Sequence, residues 1–413
     1  MRDRGYLFQC TNLDALDESM MKDDTFSAYL GFDATADSLH VGSLLQIMIL
    51  RHLQKSGCRP VVLVGGATSK VGDPTGKDES RKMLTDEAIA TNVDGISKVF
   101  EKFLTFGDEK ASDAIMVNND EWLSSLKYLE FLRDMGTYFT INRMLQFESV
   151  KQRMAREAPL SFLEFNYMIL QAYDFLELSR RYAVKLQLGG SDQWGNIVSG
   201  TELTRRVDRN QVFGLTAPLI TTSDGKKMGK TEGGAIWLNA DKLSPYEYWQ
   251  FWRNTADADV IRFLKLFTEL PLPEIEELSA LKGSSINAAK EVLADSATAL
   301  LHGPECLPKI HETAASLFAA KSSVGGQGGD TSSLSRTSLD RSSLGSVRVT
   351  DLFLRLNLTA SKKEAKRLIQ GGGARIGDVK IEDENKCLEE GDFVDGECVL
   401  RAGKKKAGVV VLE

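Results

Sequence analysis

An apolar segment that is followed by a polar loop and then by an apolar helix constrains this chain more than any other stretch. Residues 28–32 predict a buried strand, residues 33–38 form a polar loop, and residues 41–53 carry apolar side chains at helical spacing up to a stop at Gly57. This order points backbone N–H groups and the positive end of a helix dipole at one place, where phosphate binds well. His40 lies at that helix start; on its own, this short motif favours a solvated helix cap over a phosphate site.

Alternation of strands and helices continues to about residue 236. Further buried strands are predicted at 61–64, 114–117 and 184–188, and helices at 85–103, 125–135, 140–155 and 161–180. Continuous apolar strands between helices are typical of a parallel sheet that is covered on both faces. The sequence therefore predicts an α/β fold, a doubly wound Rossmann-like domain over residues 1–236, with its site at the carboxyl ends of the strands.

The rest of the chain divides into three predicted segments. Residues 237–320 have helical apolar stripes, which are rich in aromatic side chains that fit a helix core. Residues 321–346 are rich in Ser and Gly and predict a flexible linker. Residues 347–413 predict a small α+β module, whose basic clusters at 362–367 and 404–406 favour RNA contact over a merely solvated face.

Composition limits the possible classes of function. The 413 residues carry a formal net charge of -7, so an RNA-binding surface must concentrate positive charge locally. Five cysteines without a CxxC pair and four histidines without metal-ligand spacing argue for a reducing compartment and against a zinc site. No apolar run is long enough to span a bilayer, and no secretory or transit peptide is visible at residues 1–5.

A second motif gives His40 a sharper interpretation. Residues 224–234 read Asp-Gly-Lys-Lys-Met-Gly-Lys-Thr-Glu-Gly-Gly, which places Lys227 and Lys230 in a glycine-rich loop. The two motifs together resemble the HIGH and KMSKS signatures of class I aminoacyl-tRNA synthetases. The motifs between them narrow the resemblance to bacterial-type tyrosyl-tRNA synthetases over nearly the whole chain; they are Gly65-Gly66-Ala67-Thr68, Gly72-Asp73-Pro74, Tyr167 to Asp174, and Gly189 to Asn196.

The resemblance implies that the chain activates L-tyrosine with ATP to tyrosyl-adenylate and then transfers tyrosine to the 3′ end of tRNA(Tyr). It implies catalytic roles for Thr35, His40, Lys77, Arg81, Lys227 and Lys230. It implies ATP contacts from Asp33, His40, Gly42, Ser43, Gly190, Asp192 and Lys230, with Mg²⁺ carried by the nucleotide and no metal-ligand set on the protein.

The tyrosine substrate is expected to contact polar side chains at both of its ends. The resemblance implies Tyr29 and Asp174 at the phenolic hydroxyl, Asp73, Tyr167 and Gln171 at the ammonium group, and Gln193 along the same pocket. Residues 167, 171 and 174 share one helix face, because i, i+4 and i+7 positions align. That face equally fits an ordinary polar stripe, but its spacing would let one helix contact both ends of a tyrosine.

Two positions depart from the family pattern, and other interpretations remain open. Ser43 stands in place of the second His of HIGH, and Gly229 in place of the central Ser of KMSKS. The alternatives are a tryptophanyl-tRNA synthetase and a non-catalytic RNA-binding paralogue. The family implies a homodimer, for which the apolar helix at 125–135 is the expected interface, although its stripe equally fits a core. The expected location is a bacterial cytoplasm, or a mitochondrial or plastid matrix.

Overall fold

The chain forms two units, Met1–Thr221 and Thr222–Glu413. The computed structural model describes residues 1–73, 84–225, 228–231, 234–319, 331, 334–403 and 406–413, and of residues 230, 231, 234 and 316–319 it describes the backbone only. None of the helices in these ranges is long and apolar enough to cross a bilayer.

The first unit is a six-stranded sheet with helices between its strands. Its strands are β1 (Gln9–Cys10), β2 (Ser27–Phe32), β3 (Arg59–Val64), β4 (Ile115–Asn118), β5 (Val184–Gly190) and β6 (Phe213–Ala217). Its α-helices are α1 (Leu13–Lys22), α2 (Val41–Lys55), α3 (Thr68–Val71), α4 (Asp86–Phe103), α5 (Asp120–Leu123), α6 (Tyr128–Met135), α7 (Ile141–Met144), α8 (Glu148–Ala155), α9 (Phe162–Tyr182) and α10 (Trp194–Asp208).

The strand order β1-β6-β5-β2-β3-β4 confirms the prediction of a doubly wound sheet. All neighbours pair in parallel except the short β1, which pairs antiparallel with β6. The chain winds outward from β2 through β3 to β4, and then returns to the other side of β2 with β5 and β6. The carboxyl ends of β2 and β5 therefore meet at the switch point, where doubly wound sheets bind ligands.

Two helices of this unit form for reasons that the sequence displays. Helix α2 begins with His40 as its N-cap and buries an apolar face, and Gly57 follows it with a φ of +92° that suits glycine. Helix α9 begins with a reciprocal capping box between Ser161 and Glu164. It then packs its inner face against β2, where the Phe175 and Tyr29 ring centroids are 5.2 Å apart.

The structure differs from the predicted elements in several places of this unit, and helices α1 and α10 and the short strand β1 are among the elements that were not predicted. Strand β6 was not predicted, because its sequence FGLTA is too short and too mixed to show a pattern, although every one of its residues is buried. The single helix predicted over 140–155 is two helices, α7 and α8. Between them Phe147 has an extended backbone, and its ring lies against Gly195 at the start of α10.

The second unit contains helices followed by a small mixed sheet. Its helices are α11 (Pro245–Arg253), α12 (Val260–Phe267), α13 (Leu272–Ser279), α14 (Ile286–His302), α15 (Leu307–Ala319), α16 (Val349–Arg355) and α17 (Lys362–Gln370). Its strands are β7 (Lys230–Thr231), β8 (Gly234–Ala235), β9 (Ser335–Leu339), β10 (Ala374–Ile376), β11 (Val379–Lys380), β12 (Glu397–Ala402) and β13 (Lys406–Leu412). The aromatic residues of α11 and α12 are core, as predicted, except for the half-buried Phe251; Trp252 is fully buried against Phe263 and Phe267.

The predicted linker is wrong at its C-terminal end. Within 321–346, strand β9 pairs in parallel with β13 and completes a five-stranded sheet in the order β11-β10-β12-β13-β9. Exposed residues alternate with half-buried ones in this strand, and Leu339 is buried in the core of the small module. The Ser-rich composition gave no sign of a strand. The strand forms because it pairs with β13, which lies about 70 residues further along the chain, and local sequence does not reveal that partner. Residues 320–330, 332–333, 404 and 405 lie outside the described part.

Candidate active site

The loop after β2 carries the first group of site residues. His40 caps α2, and its Nδ1 accepts the Gly42 N–H at 3.0 Å, while the Ser43 N–H donates to the His40 carbonyl at 2.8 Å. An Nδ1 that accepts places the proton of a neutral imidazole on Nε2. His40 is therefore a helix cap whose ring also carries an N–H at the positive end of α2. Thr35, in the middle of the loop, is exposed.

The end of β3 and the end of β4 are joined by amide side chains. The Gly66 N–H donates to Asn118 Oδ1 at 3.1 Å, and the Ala67 N–H donates to Asn119 Oδ1 at 2.9 Å. A Cβ on Gly66 would lie only 2.3 Å from Asn118 Oδ1, so this position needs glycine. These bonds fix the loop that leads into α3 and towards Asp73.

A chain of hydrogen bonds links four polar side chains beside this loop. Gln193 donates to Asp73 Oδ2 at 2.9 Å, and Gln171 donates to Gln193 Oε1 at 3.4 Å. Asn196 donates to Gln171 Oε1 at 2.9 Å and to Gln193 Oε1 at 3.1 Å. Three of the predicted residues, Asp73, Gln171 and Gln193, thus meet in one place, and one carboxylate gives that place negative charge.

Helix α9 connects this cluster to the loop after β2. The Tyr167 hydroxyl donates to Asp33 Oδ1 at 3.3 Å, one helical turn before Gln171. Tyr167 and Asp33 are 134 residues apart in the sequence. The sheet brings them together because β2 neighbours β5, the strand that follows α9. Residues expected at the amino-acid ammonium group and at the nucleotide are therefore neighbours.

The next turn of α9 carries Asp174, which is 2% exposed. Its Oδ2 accepts from Asn119 at 3.0 Å, and its Oδ1 accepts from the Trp122 indole at 2.8 Å. Burial raises the pKa of this carboxyl to about 7, although the two donors lower it, and the charges of Asp33 and Glu177 raise it further. The side chain can therefore exist in either protonation state near neutral pH.

Tyr29 lies on β2 in the same interior region. Its ring is 1% exposed, and its hydroxyl has no hydrogen-bond partner among the described residues. Burial, and then the charge of Asp174, raise the pKa of this phenol well above its ordinary value. A buried hydroxyl without a partner is costly. A ligand atom that could accept from Tyr29 or donate to it, beside Asp174, would relieve that cost.

Sequence reasoning missed three residues of this site. Asn119 and Trp122 hold Asp174, and Asn196 holds both Gln171 and Gln193. A usable signal existed for the first two, because they directly follow the carboxyl end of β4, the edge where ligand sites of parallel sheets lie. Asn196 ends the Gly189 to Asn196 motif, but its role depends on contacts across two helices.

Of the remaining residues predicted at the nucleotide or in catalysis, some are described by the structure and others are not. Gly190 ends β5, and a Cβ on it would lie 2.6 Å from Asp192 Oδ1, so the backbone there accommodates that carboxylate closely. Lys77, Arg81 and Lys227 lie outside the described residues, and of Lys230 only the backbone is described, in β7.

The glycine-rich loop belongs to the second unit, and its described parts are held at both ends. The Ser223 N–H donates to Asp259 Oδ2 at 2.8 Å, and the Ile236 N–H donates to the Gly229 carbonyl at 3.1 Å. Gly229 has a φ of +94°, which a serine rarely adopts. This backbone conformation accounts for glycine in place of the central Ser of KMSKS.

One group of possible metal ligands appears that the sequence did not reveal. Glu291, Asp295 and His311 in the second unit place one ligand atom each within 4.8 Å of one another. Both Asp295 oxygens already accept hydrogen bonds, from the Trp249 indole at 2.7 Å and from His311 at 3.1 Å. The group is thus a hydrogen-bonded network that joins α11, α14 and α15.

Comparison with known proteins places this geometry in a family. The family model described as tRNA synthetases class I (W and Y) matches residues 21–319. The tyrosine–tRNA ligase of Rhodospirillum rubrum is 55% identical over 411 residues, which cover 99% of this chain and 96% of that protein. The tyrosine–tRNA ligase of Zymomonas mobilis is 56% identical, with 99% and 97% covered.

A solved structure agrees with these relatives. A C-terminally truncated mitochondrial tyrosyl-tRNA synthetase of Aspergillus nidulans superposes with a TM-score of 0.67 at 32% identity, covering 75% of this chain and 90% of that one. The chain therefore belongs to the class I tRNA synthetases of the tryptophan and tyrosine family, and its full-length relatives are tyrosine–tRNA ligases.

Proposed function

We propose that this chain is a tyrosine–tRNA ligase, which activates L-tyrosine with ATP and transfers it to tRNA(Tyr). The observation that carries the choice of amino acid is the buried Tyr29 hydroxyl, which has no hydrogen-bond partner among the described residues and lies close enough to Asp174 for that charge to raise the pKa of the phenol. A phenolic hydroxyl between them would satisfy Tyr29 and donate to the carboxylate. Phenylalanine would leave the buried Tyr29 hydroxyl without the partner that tyrosine supplies and would give Asp174 no donor beyond Asn119 and Trp122, which is the type of rejection known for this class of enzyme.

The opposite end of the amino acid would lie against the polar chain of Asp73, Gln193 and Gln171. An ammonium group needs acceptors, and these three hydrogen-bonded side chains contain one carboxylate and two amide oxygens. Tyr167 would line the same end and connect it to Asp33. Because Tyr167, Gln171 and Asp174 lie on one face of α9, the helix would fix the distance between the two ends of the substrate.

Activation requires positioning and neutralisation of charge, since the tyrosine carboxylate attacks the α-phosphate directly and pyrophosphate leaves. We assign Thr35 and His40 to the phosphates, with the Nε2–H of His40 as donor at the start of α2. Lys77, Arg81, Lys227 and Lys230 would supply cations to the departing pyrophosphate. Mg²⁺ would be held mainly by phosphates and water, as is usual for nucleotide-bound magnesium.

The nucleoside would occupy the switch point of the sheet. Asp33, Gly42 and Ser43 lie after β2 and at the start of α2, and Gly190 and Asp192 lie at the adjacent end of β5. Ribose hydroxyls donate readily to carboxylates, and glycines let the backbone approach the sugar closely. Ser43 would offer a shorter donor than the histidine of the usual signature.

The partners beyond small molecules are tRNA and a second copy of the chain. The basic residues of α17 and of the β12–β13 hairpin would contact phosphates of the tRNA.

Large apolar side chains are exposed on α6 and the helices that follow it: Tyr128, Leu129, Leu132, Ile141 and Phe162. Such exposure favours a dimer interface, which Leu129→Glu would disrupt, lowering the mass measured by sedimentation. A mass that is unchanged would exclude this surface.

The bacterial relatives favour a bacterial cytoplasm, or an organelle that uses bacterial-type enzymes, as the place of action.

The decisive experiment is ATP–pyrophosphate exchange with tyrosine, phenylalanine and tryptophan offered separately. We expect exchange with tyrosine, and at least about a thousandfold lower kcat/KM with the other two. Exchange that tryptophan supports equally, or that tyrosine does not support, would contradict the assignment.

A further inference from the structure

The residue before Thr35 is held by two other elements of the first unit. The Ala34 N–H donates to the Ser69 hydroxyl at 2.9 Å, and the Ala34 carbonyl accepts from the Asn92 amide at 2.8 Å. Ala34 is fully buried, and so is Ser69 in α3. Both polar groups of this peptide segment are thus satisfied from outside the loop, by α3 on one side and α4 on the other.

One residue of α4 also approaches the loop beyond Thr35. Gly95 lies three residues after Asn92, so the two share a helix face. A Cβ on Gly95 would lie 2.0 Å from the Asp37 carbonyl oxygen and 2.7 Å from its carbonyl carbon. Glycine inside a helix costs about 1 kcal/mol relative to alanine. This close backbone approach is a physical reason for glycine here.

Helix α4 itself is firmly attached to the sheet. Its inner face buries Ile96, Val99, Phe100 and Phe103. The ring of Phe100 packs edge-on against Phe32, the last residue of β2, with 4.7 Å between centroids. The helix is therefore anchored at the point where the loop leaves the strand, and it can hold the loop against the same framework that positions the strand.

We propose that α4 fixes the conformation of the loop after β2, and that Asn92 and Gly95 are positioning residues for Thr35 during tyrosine activation. The inference rests on the proposed function, which assigns Thr35 to the phosphates. Thr35 is exposed, but its neighbours on both sides are held, Ala34 by hydrogen bonds and Asp37 by close packing. A shift of about 1 Å in a positioning group can slow a reaction about a hundredfold.

The test compares Gly95→Ala with Thr91→Ala in the full-length protein. Thr91 is exposed on the same helix, and among the described residues its hydroxyl bonds to the Glu87 carbonyl in the helix itself. Both changes improve helix propensity. We expect Thr91→Ala to leave the rate constant of tyrosyl-adenylate formation unchanged, and Gly95→Ala to lower it about 10- to 100-fold, with tyrosine affinity within about twofold of wild type.

A double-mutant cycle identifies the residue through which Gly95 acts. In a Thr35→Ala background, Gly95→Ala should lower the rate constant of tyrosyl-adenylate formation little further, because the hydroxyl that it displaces is already absent. Asn92→Ala, which removes one hydrogen bond without adding an atom, should show the same dependence on Thr35 with a smaller effect. It serves as the test if Gly95→Ala does not fold.

Three outcomes would each overturn the inference. The first is a Gly95→Ala protein that is as active and as thermally stable as Thr91→Ala. The second is a loss of rate that is the same with and without Thr35, and the third is a loss of tyrosine affinity in parallel with the loss of rate. The proposed function is tested separately by Thr35→Ala. If that change alone leaves the activation rate intact, the assignment of Thr35 is wrong and the inference falls with it. If that change slows activation and the α4 variants do not, only the inference is wrong.

Discussion

The two ends of the proposed active site, the tyrosine-hydroxyl end and the phosphate end, are built by opposite means. At one end, Asp174 and Tyr29 are buried, and the carboxylate is held by Asn119 and Trp122. At the other end, Thr35 is exposed, and His40 is half-exposed at a helix N-terminus. The first end can discriminate because it excludes water, so an unmade hydrogen bond is expensive. The second end would bind the charged phosphates of ATP, which enter from solvent, so its donors lie on the loop after β2, which other elements hold in place.

This contrast predicts that variants at the two ends affect different measurements. Changes at the buried end should alter tyrosine affinity and protein stability. Changes at the loop end should alter the rate of activation, because their contacts strengthen only as charge develops on the phosphates.

The largest effect is expected from His40, whose two roles can be separated. His40→Asn should lower the rate constant of adenylate formation by about 10²- to 10³-fold, because the Nε2–H donor is lost. The fold should keep its stability, because asparagine is a good N-cap. His40→Ala should lose the same rate and, in addition, about 0.5–2 kcal/mol of unfolding free energy. Pre-steady-state kinetics and denaturant unfolding give the two numbers.

Full activity of His40→Asn would show that the residue is only a helix cap. A loss of tyrosine affinity that parallels the loss of rate would place His40 in ground-state binding instead, and the contrast between the two ends would then fail.

A smaller effect, on affinity, is expected at the buried end. Asp174→Ala should weaken tyrosine binding by about 1.5–3 kcal/mol, the cost of a lost hydrogen bond to a charged group, and should leave phenylalanine binding nearly unchanged. Equilibrium dialysis measures both. Asp208→Ala is the control, because Asp208 is the partner of Arg180 near the far end of α9. Equal effects of the two substitutions, or an unchanged preference for tyrosine, would remove Asp174 from the recognition site.

The same carboxyl predicts a dependence of stability on pH. Its pKa in the folded protein is about 7, above its ordinary value, so its protonation stabilises the fold fully at low pH and the contribution is lost as pH rises through 7. Wild type should lose about 1.6 kcal/mol more than Asp174→Asn between pH 5.5 and 7, because the slope of about 1.4 kcal/mol per pH unit falls to half that value at the pKa. The difference in slope is the test, since asparagine changes the hydrogen bonds at every pH. Parallel curves from urea unfolding would mean that Asp174 titrates normally.

The smallest effect on either end is expected from removing residues 321–413. Tyr29, Asp174, Thr35 and His40 all lie in the first unit, so tyrosine-dependent pyrophosphate exchange should stay within about twofold of wild type. Aminoacylation should weaken, and the salt dependence of tRNA binding should flatten, because phosphate contacts of the basic clusters are lost. If exchange and aminoacylation fall together, the C-terminal residues support the catalytic fold.

The removal carries one structural complication, which the sequence did not suggest. Ser335 at the start of β9 hydrogen-bonds Glu247, the residue that closes the capping box of α11. A truncated chain that is less stable but equally active would mean that this contact supports the helices of the second unit and not the catalytic site.

The sequence alone determined the parts of this protein that depend on local pattern. Apolar runs and caps were enough for β2 to β5, α2 and α9, because strand and helix periodicity are properties of neighbouring residues. The short motifs determined the family and the face of α9 that carries Tyr167, Gln171 and Asp174. Those are side chains within two turns of one helix, whose relative placement a helix dictates by itself.

Only the tertiary structure decided what those residues contact. Asn119 reaches Asp174 across 55 residues of sequence, and Asn92 reaches Ala34 across 58. Strand β9 joins β13 across the Ser-rich segment, and Gly95 meets the Asp37 backbone. Such contacts follow from strand order and from the packing of helices on the sheet, which bring distant segments to one edge. Local periodicity contains no information about which distant partner arrives, so burial, protonation and positioning appear only when the chain is folded.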